Sequence, residues 1–107
     1  MRIDIKQLEF IDKNLRDLVV WLGKRSGLEF TATSLYRVND TGVHGTLPLR
    51  GIDLRVRDVN TGTSIEALVN DSWTYDTERP NLKCAILHGI GSNMHLHLQV
   101  HPSTRIG

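Results

Sequence analysis

Between positions 8 and 22 the large apolar residues Leu8, Ile11, Leu15, Leu18 and Leu22 recur at spacings of three and four, with Asp12, Lys13, Arg16 and Asp17 between them. That period places one apolar stripe along one side of a helix. Gly23 and Gly27, with Lys24 and Arg25 before the latter, supply the stop signal: glycine tolerates the left-handed turn at a helix end, and cations suit its carbonyl-rich last turn. The period then falls to two. Phe30 and Ala32 alternate with Glu29, Thr31 and Thr33, which predicts a short strand. Ile52, Leu54 and Val56 alternate with Asp53, Arg55 and Arg57, which predicts a longer strand over 50–58.

Residues 38–48 hold Asn39, Asp40, Thr41, Gly42, Gly45 and Pro48 without any period and predict a long exposed loop. Thr63 followed by Glu66 forms a capping box ahead of Ile65, Ala67, Leu68 and Val69, so a second, shorter helix is predicted to run to about Trp73. Residues 75–80 are rich in turn formers. The apolar run 84–87 and the alternating run 94–101 flank the turn residues 89–93 and predict a hairpin, while 102–107 reads as a free tail or the start of a trimmed linker. The order helix, strand, loop, strand, helix, hairpin predicts an α+β fold: a small, mainly antiparallel sheet with helices on one face.

Composition narrows the function classes. A chain of 107 residues with 39% hydrophobic residues suits a single domain over 1–107. Thirteen basic against twelve acidic side chains, interspersed, give a formal charge of +1, so neither nucleic acid nor an anionic membrane is an expected partner. The single cysteine, Cys84, permits no intrachain disulfide and is expected to be an inert buried thiol. No apolar run approaches the ~18 residues of a membrane span, and no signal-peptide core follows the charged start. A monomer made in the cytoplasm is the expectation.

Five histidines stand out against this background. On a strand, side chains two apart share a face, so His95, His97 and Gln99 lie on one side of the last strand and Leu96, Leu98 and Val100 on the other. The apolar side must face the core. Asp53 is likewise opposite in facing to Ile52 and Leu54, so it shares the polar sheet face with His95 and His97 if the two strands are neighbours. His44 lies in the loop leading to the Asp53 strand. Two imidazoles and one carboxylate, with a fourth position open to solvent, form the donor set of a catalytic zinc rather than a closed structural one. The bland alternative is a pair of solvated histidines beside a surface carboxylate. His88, ahead of the hairpin turn, either lies beside His95 across the ladder or is a plain turn residue. Trp21 and Trp73 are expected to be helix residues at the core. Gln99 either bonds to a ligand or is solvated.

The segments SLYR at 34–37, VHGTLPLRGIDLRV at 43–56 and HLHLQV at 95–100 resemble the zinc peptidoglycan peptidases of the D-alanyl-D-alanine carboxypeptidase and phage endolysin type. Lysostaphin-like enzymes and the hedgehog signalling domain share that superfamily. The resemblance spans roughly 28–100 and keeps the order of the marks. It implies a Zn²⁺ cofactor held by His44, Asp53 and His97, with His95 as catalytic base or transition-state stabiliser and Arg37 as substrate and oxyanion contact. It also implies hydrolysis of a peptide bond in a peptidoglycan stem or cross-link, by a phage or prophage protein acting on the wall after release or within a virion. Three departures accompany it. His44 and Asp53 are nine apart, a longer spacing than the family's usual one. Leu35 stands for a glycine of the arginine motif, and Met94 for a glutamate, which passes the base role to His95. A catalytically silent zinc-binding module of a phage particle is the alternative.

Overall fold

The computed structural model describes residues 11–36, 49–89 and 93–107, with the side chains of 34–36 outside that description. Helix α1 spans Lys13–Ser26. Asp12 caps it, its carboxylate accepting from the Asn14 amide at 2.7 Å, so the helix starts later than the apolar period suggested. Ile11, ahead of the cap, is buried and bridges in parallel to Leu49. At the other end Gly27 adopts a left-handed conformation, φ 69°, and its amide closes on the Gly23 carbonyl, as the glycine and cation pattern predicted.

Strands β1 (Ala32–Tyr36), β2 (Gly51–Arg55), β4 (Ala85–His88) and β5 (His95–Gln99) form one antiparallel sheet in the order β1-β2-β5-β4. The first strand lies further along than its alternation implied, with a register shift between Ala32 and Ser34. Two-residue strands β3 (Trp73–Thr74) and β6 (Arg105–Ile106) pair separately. With helix α2, Val59–Ser72, this is the α+β fold expected.

The inward residues Ile52, Leu54, Leu96 and Leu98 have no exposed surface and join one cluster with Leu15, Leu18 and Leu22 of α1 and Ile65 and Val69 of α2. Each such burial is worth ~1.5–3 kcal/mol, well above the tenths that separate local propensities. Pairing register is therefore set by the core face, and Asp53, His95 and His97 are turned outward by elimination.

Three expectations need correction. Helix α2 begins at Val59, not near Thr63, because Asp58 is the cap: its carboxylate accepts from the Thr61 amide at 2.7 Å and from the Thr61 hydroxyl at 3.0 Å. It therefore matches α1 in length, 14 residues each. Glu66, inside the helix, accepts instead from the Leu87 amide at 2.6 Å. Trp73 ends the helix and opens β3, its ring edge-on to Trp21 with centroids 6.0 Å apart. The segment 102–107 is no free tail: β6 pairs with β3, and the Gly107 amide reaches the Ser72 carbonyl.

Beside Glu66, Asn70 treats Ala85 as a strand would, donating to its carbonyl at 2.9 Å and accepting from its amide at 3.0 Å. Gly62 permits the close approach of α2 to the sheet. A Cβ there would stand 2.8 Å from a Leu87 methyl and 3.0 Å from one of Val56.

Candidate metal centre

Strands β2, β5 and β4 bring the polar residues together through register alone. Asp53 is the direct partner of His97 across β2–β5, and His88 is the direct partner of His95 across β5–β4. Two of the expected ligands, Asp53 and His97, are thereby placed in contact, and His95 stands beside them. His88, left open between two roles, joins the same outer face. His44 and Arg37 lie outside the described residues.

The three imidazoles form a close group. Ring centroids are 3.9 Å apart for His88 and His95 and for His88 and His97, and 4.9 Å for His95 and His97. One ligand nitrogen from each lies within 4.8 Å of the others. Two ligands of a tetrahedral zinc at about 2.0–2.1 Å are about 3.3 Å apart, so the three nitrogens are within reach of one ion. His88 is exposed, whereas the side chains of His95, His97 and Asp53 keep 29%, 25% and 15% of their surface, which leaves the face open to a ligand from solvent.

The hydrogen bonds decide which nitrogens carry lone pairs. His95 Nδ1 lies 2.9 Å from the Asn93 carbonyl oxygen, which can only accept, so Nδ1 carries the hydrogen and Nε2 keeps its lone pair. That Nε2 is 4.0 Å from Asp53 Oδ2. His97 Nδ1 rests against Asp53 Oδ1, and the same reasoning puts the lone pair of His97 on Nε2. Burial holds the His97 pKa below the ordinary histidine value; the neighbouring His88 and His95 push the same way, while the Asp53 carboxylate opposes them. A neutral imidazole is the form a metal takes, so the donor set fits a borderline transition ion.

Other candidates resolve away from the centre. Gln99 shares the outer face but donates from Nε2 to the Lys83 carbonyl at 2.9 Å. Met94 is buried in the core. Cys84 is buried and its thiol pKa is pushed up to about 12, chiefly by desolvation, as expected of an inert thiol. His101 accepts from the Ser103 amide at 3.1 Å, past the sheet. The signal for His88 was its place two residues after an outward-facing Ile86, legible only once the hairpin register is known. Among the described residues no helix is long and apolar enough to cross a membrane. No protein family, curated protein or solved structure matches the chain.

Proposed function

We propose that this outer sheet face is the metal centre of a zinc-dependent peptidase acting on the stem or cross-link peptides of peptidoglycan. The observation that carries the reading is the convergence of Asp53, His95, His97 and His88 on one solvent-facing patch, built by three adjacent strands. Its donors suit zinc, and the quoted sequence marks supply the substrate class.

In this reading Asp53 and His97 would hold the ion with His44, the set the resemblance implies, which requires the His97 ring to give up its Nδ1 contact with Asp53. Zinc at such a site acidifies water and polarises a carbonyl. His95 presents Nε2, its Nδ1 hydrogen being engaged by Asn93, and so takes a proton from the attacking water and returns it to the leaving amine. Arg37 would face the oxygen on which charge develops. The closeness of the three imidazoles favours a second roster, with His88, His95 and His97 as ligands and Asp53 as the carboxylate that orients His97 and accepts the proton.

Metal analysis and digestion of purified sacculi test both. The first roster expects His44→Ala and His97→Ala to lose zinc, and His95→Ala to keep zinc while losing hydrolysis. Under the second, His88→Ala and His95→Ala lose zinc and His44→Ala keeps it. One zinc per chain with sacculi left intact under all conditions would leave a silent zinc-binding module, and no bound zinc would remove the centre itself.

A further inference from the structure

A cleft of about 460 Å³ opens where β2 ends, between the approach to β1, the segment 55–58 and the first turn of α2. Its volume is in the range of small-molecule sites. Phe30 and Val56, both buried, form its floor, and Leu28, 44% exposed, stands at the rim. Arg55 and Arg57 are its cations. Both are exposed on one side of the chain because Val56 between them turns into the core.

Among the described residues neither guanidinium takes part in an ion pair, although two carboxylates line the same walls. Asp58 is committed to the amide and hydroxyl of Thr61, and Glu29 has a partner of its own. Two arginines with no ion pair among the described residues, set over an apolar floor, suit a carboxylate on an aliphatic group, since the planar fork of arginine matches two carboxylate oxygens. The flanking acids expose a dianion to repulsion more than a monoanion, which favours a carboxylate over a phosphate.

We propose that this cleft binds a monocarboxylate carried on a short aliphatic group, its oxygens on Arg55 and Arg57 and its carbon chain on Phe30, Val56 and Leu28. Arg55 is the direct cross-strand partner of His95, and such partners hold their Cβ atoms about 5 Å apart. A ligand anchored there extends its remaining atoms along the histidine face, which makes the cleft a recognition subsite of that centre. This role rests on the metal-centre reading; the binding itself does not.

The test therefore uses the whole chain in the presence of a chelator at a pH of about 8.5, where propylphosphonate is mostly dianionic, with butyrate as probe, butyramide as its neutral counterpart and propylphosphonate as the dianion, followed by nitrogen-15 NMR. Butyrate is expected to shift the Arg55 and Arg57 Nε–H signals and the Thr61 amide saturably. Butyramide should leave them in place, and propylphosphonate should bind more weakly. Arg55→Gln is expected to weaken butyrate binding about tenfold, and Arg55→Gln with Arg57→Gln to abolish it while the rest of the spectrum keeps its wild-type pattern. Equal shifts with butyramide, or undiminished binding in the folded double variant, overturn the proposal; tighter propylphosphonate binding overturns the choice of carboxylate. Zinc binding without a butyrate response removes the cleft and spares the centre, and the reverse result spares the cleft alone.

Discussion

At the scale of single residues, burial sets the chemistry. The Cys84 sulfur is sealed in the core, and a thiolate there would lose its hydration, so its pKa rises to about 12 although a hydrogen bond with Thr104 pulls the other way. A thiol reagent at pH 8 is expected to leave the native chain unlabelled and to label it stoichiometrically in denaturant; rapid native labelling would show the core open at that point. His97 works in the opposite sense. Its pKa is lowered by burial first, so as pH falls the unfolded chain takes up the proton before the folded one. The contribution of His97 to stability is complete above the unfolded value of about 6.5 and is lost as pH falls through the folded value. The urea midpoint of chelator-treated protein should therefore drop between pH 7.5 and 5.5, and His97→Asn should flatten that drop. An equal slope in the variant would refute the assignment. Protons would compete with a metal for the imidazole nitrogens, so any zinc affinity of the proposed centre is expected to weaken over the same interval.

At the scale of elements, the hairpin carries the site. Gly89 opens its turn at φ 96°, and a Cβ there would stand 2.3 Å from the Asn93 carbonyl oxygen. Gly89→Ala must therefore move backbone, and Asn93 is the group that holds His95 Nδ1. We expect that substitution to cost about 1–3 kcal/mol and to weaken zinc binding, whereas Gly23→Ala, at a helical position with open space, should do neither. Thermal melting and zinc titration of the two variants check this. Strand facing was legible in the sequence because alternation is a property of neighbouring residues: Asp53, His95 and His97 lie outward as read. The contact of Asp53 with His97 was legible only conditionally, since it needed β2 and β5 to be neighbours. Helix α2 was mistaken at its start because Thr63 and Glu66 mimic a capping pair, while the true cap, Asp58, closes the preceding strand segment and looked like its last polar residue. The role of Glu66 as acceptor for Leu87 depends on a contact 21 positions away, which no local pattern encodes.

At the scale of the whole molecule, the two termini of the described fold are tied rather than loose. Asn14 at the start of α1 donates to the His101 and Pro102 carbonyls at 3.1 Å each, and β6 closes on β3. One core joins both helices to the inner sheet face, which leaves the outer face to the polar group of Asp53, His88, His95 and His97. Strand β4 ends the sheet, and a terminal strand normally offers its unpaired amides and carbonyls to whatever chain comes next. Here Asn70 occupies both groups of Ala85 and Glu66 the amide of Leu87. Replacing both, Asn70→Ala with Glu66→Ala, should lower stability by about 1–3 kcal/mol per lost partner and turn a concentration-independent sedimentation profile into one that shifts to larger species as protein is added. A profile unchanged at all concentrations would show that the side chains serve the fold only. The helix thus acts as a stopper along this margin of the sheet: it takes up three of the groups onto which another chain would zip, so that a histidine-bearing strand can sit at the border of the fold with less risk of seeding a fibre.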